Sequence, residues 1–336
     1  MVEGAPTLND VAAAANVSRQ TVSNVLNAPH RVRPDTTERV RAAIRELGYQ
    51  PHRLARNLKT RTSRMIGYEI ARTPPGTINP VLDRFVHALV EAARDDGYHV
   101  LLFTPDDNGQ AAAYDELVGT HTVDGFVLSE VGYGDPRATV LQDRGTPFVT
   151  FGRPELPIDH SWVDVDGAAG TATAVRHLVQ RGHHRLAFVG WPAGSATGDR
   201  RAEGFVEAVK RAGRYYDPAL DVRVEDGVDT GARALQQLLE TPEPPTAVVC
   251  VSDSIAAGVV RAARTRGLAV GTDLAVTGFD DTPVAALLTP SLTSVRQPLE
   301  QVASRIVSRL TALLATHQVE PTGELLAPEL IVRDST

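Results

Sequence analysis

Three polar side chains near the N-terminus have the types and the spacing that read the edges of DNA bases. In the segment NVSRQTVSNVLN, which spans residues 16–27, Arg19 is followed by Gln20, and Asn24 comes one helical turn after Gln20. Arginine can form two hydrogen bonds with guanine, and glutamine or asparagine can do the same with adenine. The segment contains no acidic residue that would repel a polyanion. The alternative is a solvated polar face on a small helix, and these residues alone leave both interpretations open.

The apolar residues of the same segment predict the helix that would present these side chains. Ser18 is a favourable N-cap residue, so the helix is expected to span residues 18–27. At the helical repeat, Val22, Val25 and Leu26 fall on the side opposite the polar face. The helix is therefore expected to bury its apolar side and to expose its polar one.

Two further short helices are predicted around this one. Thr7, followed by Asp10 three residues later, is a variant of the capping box and begins a first helix. Asn16 lies in the turn before the polar helix, where asparagine tolerates the left-handed backbone conformation. A third helix is expected over residues 34–47, with Gly48 after its end. Three short helices of which the second has a polar outer face predict a helix-turn-helix domain.

A basic segment, HRLARNLKTRTSR, follows Pro51. Leu54 and Leu58 lie one helical turn apart within it, surrounded by arginine and lysine. The segment is either a simple linker that becomes ordered on binding, or a hinge whose leucines wedge between base pairs in the minor groove of DNA.

The charge of the chain is unevenly distributed. The chain has 336 residues and a net charge of −7, with 42% hydrophobic and 22% charged residues, which is typical of folded proteins of two or three domains. Residues 1–64 hold 11 basic and 5 acidic residues, a net charge of +6, and the remainder holds 23 basic and 36 acidic residues. A basic head on an acidic body indicates that only the head meets a polyanion.

The composition also predicts the compartment. The sequence has no run of 18 apolar residues and no basic segment followed by an apolar core at its start, so neither a membrane span nor a signal peptide is expected. The single cysteine, Cys250, lies in the apolar segment TAVVCVSD and is expected to be an inert core residue. A cytoplasmic protein without membrane contact is expected.

The body of the chain alternates short apolar runs with helical patterns. This alternation predicts parallel sheets covered by helices on both faces, and the length favours two lobes over one sheet. Strands are predicted over 65–70, 99–103, 125–129, 148–152, 186–190, 247–251 and 274–279. Helices are predicted near 80–96, 167–181, 200–212, 230–240, 253–266 and 299–315.

Polar residues that follow the predicted strands are candidates for ligand contacts, because ligands bind at the carboxyl ends of strands in such sheets. They are Tyr68, Glu69, Ser129, Glu130, Arg153, Trp191, Ser252, Asp253, Asp280 and Asp281. Asp253 is at least as well suited to capping the next helix, Trp191 to core packing and Asp281 to a structural role. Asp164 and Asp166 are interpreted as turn or cap residues.

The sequence carries no motif of the common catalytic sites. HExxH, GxSxG and GxxxxGK[ST] are absent, as is any Cys/His cluster. No enzyme activity, metal site or other cofactor is therefore expected.

Several segments together resemble the lactose-repressor (LacI/GalR) family. In the head they are TLNDVAAAANVSRQTVSNVLN and RVRPDTTERVRAAIRELGYQPHRLARNLKT. In the body they are VQRGHHRLAFVGW, GDRRAEGF, VSDSIAAGVV, LAVTGFDDTPVAALLTPSLTSVRQP and ELIVRDST. They cover almost the whole chain in the family's order.

The resemblance implies roles for residues of the head. Arg19, Gln20 and Asn24 match base-reading positions in the major groove. The residues that match phosphate-positioning roles are Thr7, Ser18, Thr21, Ser23, Asn27 and His30. Leu58 matches the leucine that the family inserts into the minor groove, and Leu54, Ala55 and Lys59 belong to the same hinge. Asn16 stands where the family often has glycine, and the turn can still form.

The resemblance also implies an effector cleft. Arg201 matches the family arginine that contacts effector hydroxyl or carboxyl groups, with Arg200 beside it, and Asp280 matches an effector acceptor. The other positions that match the cleft are Asp253, Gln297, Asn79, Arg153, Trp191 and Thr197. An arginine, several carboxylates and an aromatic ring suit a small polyhydroxylated ligand. Gly152 and Ser252 replace an acid and an asparagine of some sugar-induced members, so the sugar of any one relative does not transfer.

The implied fold is an all-α helix-turn-helix head followed by a two-lobed α/β domain like the periplasmic binding proteins. The head is expected over residues 1–50, a hinge over 51–62, and an effector-binding and dimerisation domain over 63–336. Lobe 1 is expected over 63–164 and 296–321, and lobe 2 over 165–295 and 322–336. Crossings between the lobes are expected near 160–166, 290–296 and 318–323.

The expected function is a bacterial repressor of carbohydrate-utilisation genes. Two heads of a homodimer would bind a pseudopalindromic double-stranded DNA operator, and a small sugar inducer would release them. A dimer is favoured over a tetramer because no leucine-heptad tail follows ELIVRDST. The alternatives are a repressor that requires a purine-type corepressor and a stand-alone sugar-binding protein.

Overall fold

The computed structural model describes residues 6–49, 62–71, 79–105, 110–156, 159–316 and 322–336. By its internal contacts the chain divides into two units, Met1–Ser63 and Arg64–Thr336. The hinge residues named above, Leu54, Ala55, Leu58 and Lys59, lie outside the described residues.

The N-terminal unit is a helix-turn-helix domain, as predicted. Its helices are α1 (Leu8–Ala14), α2 (Arg19–Asn27) and α3 (Pro34–Leu47), and a short 3-10 helix spans Pro29–Arg31. Val11, Val22, Val25, Val40 and Tyr49 are buried in its centre. Because this core takes the apolar side of α2, the opposite side of that helix faces away from it.

Local side-chain chemistry sets the ends of these helices. The backbone N–H of Thr7 donates to Oδ2 of Asp10 at 2.7 Å, and the side chain of Thr7 accepts a hydrogen bond from Asp10 in return, which completes the capping box. Ser18 caps α2 by accepting a hydrogen bond from the N–H of Thr21 at 3.1 Å. Asn16 adopts a φ of 51° in the turn between α1 and α2, so asparagine takes the place of glycine there without blocking the turn.

The second unit contains twelve strands in the described part of the chain. They are β1 (Met65–Glu69), β2 (His99–Phe103), β3 (Gly125–Leu128), β4 (Phe148–Phe151), β5 (Ser161–Val165), β6 (Leu186–Gly190), β7 (Asp221–Arg223), β8 (Ala247–Cys250), β9 (Ala275–Phe279), β10 (Thr293–Arg296), β11 (Gly323–Leu326) and β12 (Glu329–Ile331). Its helices are α4 (Pro80–Asp95), α5 (Gln110–Gly119), α6 (Pro136–Asp143), α7 (Gly167–Gln180), α8 (Ala196–Arg211), α9 (Val228–Leu239), α10 (Asp253–Thr265), α11 (Pro283–Leu287) and α12 (Leu299–Thr316). A second 3-10 helix spans Pro218–Leu220.

These strands form two six-stranded sheets, one for each lobe. The first has the order β11-β5-β4-β3-β1-β2 and the second the order β12-β10-β9-β8-β6-β7. The strand pairs are parallel except that β12 runs antiparallel to β10. All five residues of β6 and β9 and all four of β8 are buried, as expected for parallel strands covered on both faces. The predicted fold class is thereby confirmed for the described residues.

The sequence patterns missed five strands and three helices of this unit. The missed strands are β5, β7, β10, β11 and β12, and the missed helices are α5, α6 and α11. Three of these strands, β7, β11 and β12, lie at sheet edges. Exposed residues alternate with half-buried ones in β11, and β7 and β12 have only three residues each, so none of them is a continuous apolar run. Pairing with the neighbouring strand, rather than local hydrophobicity, makes them strands.

The strand pairing also corrects the predicted lobe boundaries. Gly323–Leu326 pairs with Ser161–Val165 in the first sheet, so residues 322–326 belong to lobe 1 rather than to lobe 2. Val165 likewise belongs to the first sheet and Arg296 to the second, one residue from the predicted limits. The chain therefore crosses between the lobes at Asp166, after Arg296, and between β11 and β12.

Two further predictions concern the reactivity of Cys250 and the presence of a membrane-spanning helix. Cys250 is 1% exposed, and burial raises the pKa of its thiol, which leaves it in the unreactive protonated form. Within the described ranges, no helix is both long and apolar enough to cross a membrane.

Candidate functional site

The polar side of α2 is an exposed surface of the N-terminal unit. Arg19 and Gln20 are exposed, and Asn24 is half-buried. The side-chain amide of Gln20 donates to Oδ1 of Asn24 at 3.0 Å, so these two side chains hold one another on the same face. The hydroxyl groups of Ser18 and Thr21 are 2.9 Å apart at the start of the helix. The face thus presents a guanidinium, two amides and two hydroxyl groups.

The remaining predicted DNA contacts belong to other positions of the same unit. Thr7 and His30 are exposed, at the cap of α1 and in the 3-10 helix. Ser23 is half-buried on α2. The backbone of Asn27 ends α2, and its side chain lies outside the described residues.

A buried arginine marks the cleft side of lobe 2. Arg201, on α8, is 4% exposed, and its guanidinium lies 3.6 Å from the centre of the Phe279 ring and 5.4 Å from that of Trp191. One Nη donates to the carbonyl of Val251 at 2.7 Å and the other to Oδ1 of Asp280 at 3.3 Å. Among the described residues, its Nε has no hydrogen-bond partner. A buried donor of a charged group is costly to leave unpaired, so this atom is a candidate ligand contact.

Asp280 holds the opposite side of this arginine. It follows β9 with a φ of 99°, and its Oδ1 also accepts a hydrogen bond from the amide of Gln297 at 2.6 Å. Burial raises its pKa, and the charge of Arg201 and the bond from Gln297 oppose that rise. Arg201, Asp280 and Gln297, which were predicted separately, therefore form one bonded group.

Asp253 does not cap the helix that follows β8, which was one of the two roles predicted for it. Ser252, not Asp253, caps α10, by accepting a hydrogen bond from the N–H of Ile255. The Asp253 carboxylate accepts bonds from the backbone N–H of Thr282 at 2.6 Å, from its hydroxyl at 2.9 Å, and from the hydroxyl of Ser294 at 2.6 Å. A side chain at Gly278 would lie 2.2 Å from this carboxylate. Asp253 thus ties the loop after β9 to β10.

This buried carboxylate predicts a pH dependence of stability. Burial raises the pKa of Asp253 to about 7, and the nearby charge of Asp280 adds to the rise. The folded protein then binds this proton more tightly than the unfolded chain does, so the group stabilises the fold most at low pH. This contribution, on the order of a few kcal/mol, is lost as the pH rises from about 4 to about 7.

We expect Asp253→Asn to flatten this part of the pH profile. Urea unfolding of the wild type and the variant at several pH values between about 4 and 8 measures the difference in free energy of unfolding. Asp95→Asn is the matched control, because the Asp95 side chain is 74% exposed. Parallel profiles of wild type and Asp253→Asn would show that the buried carboxylate is not the cause.

Lobe 1 contributes a second charged group at the edge of the cleft. Nε of Arg153 donates to Oδ2 of Asp164 at 3.0 Å, and its guanidinium lies 5.5 Å from the centre of the Trp162 ring. Asp164 is a buried residue within β5, so its interpretation as a turn or cap residue is wrong. Asp166 does cap α7, by accepting a bond from the N–H of Ala169 at 2.9 Å.

One arginine bridges the two lobes. Arg200, on α8 of lobe 2, donates to the backbone carbonyl of Arg153 in lobe 1 at 2.6 Å and lies 3.4 Å from Oε1 of Glu155. The adjacent Arg201 points to Asp280 within lobe 2. Two consecutive residues of one helix therefore contact different lobes, which links the candidate ligand arginine to the separation of the lobes.

Two predicted positions stand apart from the Arg201 group. Asn79 is exposed and caps α4 by accepting a bond from the N–H of Leu82 at 3.2 Å. Thr197 is exposed in the first turn of α8. The contact of either residue with a ligand stays a prediction.

A cavity of about 370 Å³ opens between the lobes beside Asp280. Pro80, Val81 and Arg84 line it from lobe 1, and the loop 280–283 lines it from lobe 2. Pockets for small molecules commonly have about 300–1,000 Å³. Within the part of the chain that is described, no group of three His, Cys, Asp or Glu residues is placed to hold a metal ion. The arrangement suits noncovalent binding of a small polar molecule.

Comparisons with known proteins identify both units. Residues 7–52 match the family model for bacterial regulatory proteins of the lacI family, and residues 175–336 match the periplasmic binding protein-like domain. The chain is 34% identical over 336 residues to the HTH-type transcriptional regulator CelR of Thermobifida fusca, and the match covers 98% of each protein. The chain belongs to the LacI family of bacterial transcriptional regulators.

Two solved structures of such regulators extend this match to three dimensions. The transcriptional regulator CelR–cellobiose complex is 32% identical, with 98% of this chain and 100% of that chain covered and a TM-score of 0.75. The lac repressor dimer bound to operator and the anti-inducer ONPF is 27% identical, with 99% of each chain covered and a TM-score of 0.84. The relatives of this LacI-family chain are regulators of transcription rather than enzymes.

One polar residue of this LacI-family cleft was missed by the sequence analysis. Oδ1 of Asp226 accepts hydrogen bonds from the indole N–H of Trp191, at 3.1 Å, and from the hydroxyl of Ser252. Asp226 follows β7, which is only three residues long. The segment VEDG carries the acid, but without the strand nothing in the sequence placed it at the edge of the sheet.

Proposed function

We propose that the protein is a homodimeric repressor that a small sugar releases from a pseudopalindromic DNA operator. The observation that carries the sugar part is the buried Arg201, whose Nε lacks a partner among the described residues while its other nitrogens are bonded. The aromatic ring of Trp191 beside it offers a face for the apolar side of a sugar. The related CelR was solved as a complex with cellobiose, which supports the same class of ligand.

On the DNA side, α2 would lie in the major groove. Arg19, Gln20 and Asn24 would contact base edges, because their exposed face offers the donors and acceptors that bases pair with. The contacts to the DNA backbone would come from Thr7, Ser18, Thr21, Ser23, Asn27 and His30. Two heads on one two-fold axis would read the two halves of the operator, which requires a dimer.

The hinge would couple the effector to DNA. We propose that Leu58 enters the minor groove, supported by Leu54, Ala55 and Lys59, when the hinges of two protomers lie close together. A sugar in the cleft would change the separation of the lobes, which the bond from Arg200 to the Arg153 carbonyl spans. An inducer that weakens operator binding must itself bind more weakly to the DNA complex, and such coupling is typically about 1–3 kcal/mol.

On the effector side, Arg201, Asp280 and Gln297 would bond sugar hydroxyl groups directly. Trp191 and Arg153 would line the same cleft, and Asn79 and Thr197 would close its rim. Asp253 would act indirectly rather than by contact with the sugar, because its carboxylate already accepts three hydrogen bonds from the protein.

The test is operator binding at fixed salt concentration with and without sugars. Sites selected from random DNA would first define the operator, and the affinity would then be measured with cellobiose, maltose, glucose and, as a contrast, purines. A loss of affinity with one of the sugars is the expected result. A gain of affinity with a purine would instead favour a corepressor, and the absence of any selected site would reject sequence-specific binding.

The hinge proposal makes a separate prediction. Leu58→Ala should weaken binding to the selected operator while binding to unrelated DNA at the same salt concentration stays nearly unchanged. The reason is that minor-groove insertion adds to specific binding, whereas nonspecific binding depends on phosphate contacts. Gel-shift titrations with both DNA types measure the two losses, and equal losses would reject the wedge.

A further inference from the structure

The carboxyl ends of four neighbouring strands of the second sheet carry the side chains of the lobe 2 cleft. Asp280 follows β9, Ser252 follows β8, Trp191 follows β6 and Asp226 follows β7, in the spatial order β9-β8-β6-β7. Asp226 is exposed, and Oδ1 alone accepts the bonds from Trp191 and Ser252. Among the described residues its Oδ2 has no hydrogen-bond donor, so this oxygen can accept one from a ligand.

One of the acids near Arg201 has no cation bonded to it among the described residues. Three carboxylates act on its guanidinium, those of Asp280, Asp164 and Asp226. Asp164 is paired with Arg153 at 3.0 Å. Arg201 is bonded to Asp280 at 3.3 Å, so the charge of Asp226 is left without a cation of its own. Asp226 also raises the pKa of Asp280, which places the two acids within electrostatic reach of one another.

Neither Arg223 nor Arg200 is bonded to Asp226. Arg223 is paired with Asp221 through two bonds, one of them at 3.0 Å. Arg200 lies against Glu155 and the Arg153 carbonyl. The exposed carboxylate of Asp226 therefore presents a negative charge beside Arg201 with no cation bonded to it among the described residues.

We infer that Asp226 makes this cleft selective for uncharged sugars and excludes their phosphorylated or acidic forms. The inference rests on the proposed function and names the class of its ligand. Asp226 does this in two ways. Its Oδ1 holds the Trp191 indole at the cleft. Its Oδ2 accepts a hydrogen bond from a sugar hydroxyl, whereas a phosphate group in place of that hydroxyl has no proton to donate at neutral pH. Its charge repels any anion brought next to it, and such like-charge contacts are an effective means of rejecting wrong ligands.

The experiment compares neutral sugars with their 6-phosphates on the full-length protein. Isothermal titration calorimetry would measure Kd for cellobiose, maltose and glucose and for the 6-phosphate of whichever of these binds. We expect the wild type to bind the neutral sugar at least about tenfold more tightly than its phosphate. In Asp226→Asn this ratio should fall to about threefold or less, because asparagine keeps the oxygen that accepts from Trp191 and Ser252 but carries no charge.

Two controls separate charge from shape. Glu225→Gln removes the same charge one residue earlier, from an exposed side chain, and should keep the wild-type ratio. Raising the salt concentration should lower the ratio for the wild type itself, because salt screens exposed charges, and this measurement needs no variant.

The outcomes distinguish this inference from the proposed function. A wild type that binds the phosphate as tightly as the neutral sugar would overturn the inference and leave the sugar response in place. An unchanged ratio in Asp226→Asn would also overturn it, since the exclusion would then be steric. If no sugar of the panel binds at all, the proposed sugar response fails first and the inference fails with it.

Discussion

Replacing Arg201 by methionine is expected to abolish the response to sugar without changing operator affinity in the absence of sugar. Methionine keeps an apolar stem between Phe279 and Trp191 but removes every donor of the guanidinium. A buried, charged hydrogen-bond donor at the centre of a binding site commonly contributes about 2 kcal/mol or more, so we expect a rise in sugar Kd of more than about thirtyfold. Calorimetry with the sugar and operator titrations with and without it measure both properties.

The variant also leaves Asp280 as a buried carboxylate without its cation. Removing one partner of a buried ion pair can cost about 3–5 kcal/mol of stability. The double variant Arg201→Met/Asp280→Asn removes the unpaired charge and should recover most of that loss, but not sugar binding. Arg211→Met is the matched control on the same helix, because the Arg211 side chain is 79% exposed. A sugar response retained in both Arg201 variants would exclude this residue from the effector site.

Replacing Arg19 by alanine is expected to weaken binding to the operator by about 1–3 kcal/mol and to relax base preference at one position in each half-site. Arg19 is exposed on the polar side of α2, next to the pair formed by Gln20 and Asn24. An arginine that bonds one guanine loses discrimination at that base pair only. Selection from random DNA with the variant, followed by titration of single-base operator variants, measures the change.

A suitable control removes the same charge elsewhere in the N-terminal unit. Arg45, on α3, has a side chain that is 67% exposed. Arg45→Ala should change the affinity for operator and unrelated DNA by the same factor, because it alters only the general attraction of the unit for phosphates. If Arg19→Ala behaves like Arg45→Ala, the reading role of Arg19 is wrong.

The sequence by itself determined those features of the protein that depend on neighbours along the chain. The capping box of Thr7 and Asp10, the Ser18 cap and the left-handed Asn16 are all contacts or conformations within three residues. The buried strands of the parallel sheets also follow from local pattern, because a strand covered on both faces is a continuous apolar run. The fold class and the family therefore follow from the order of the residues alone.

Only the tertiary structure decided what depends on residues far apart in the chain. The edge strands β7, β11 and β12 exist through pairing with partners distant in sequence, so the sequence assigned residues 322–326 to the wrong lobe. A cap was one of the two roles predicted for Asp253, and its carboxylate instead joins Thr282 and Ser294, which are 29 and 41 residues away. Asp226 meets Trp191 and Ser252 only because three strand ends lie side by side. A buried polar group needs a hydrogen-bond partner, and this partner can belong to a residue that is distant in the sequence. No local sequence pattern therefore predicts which residue it is.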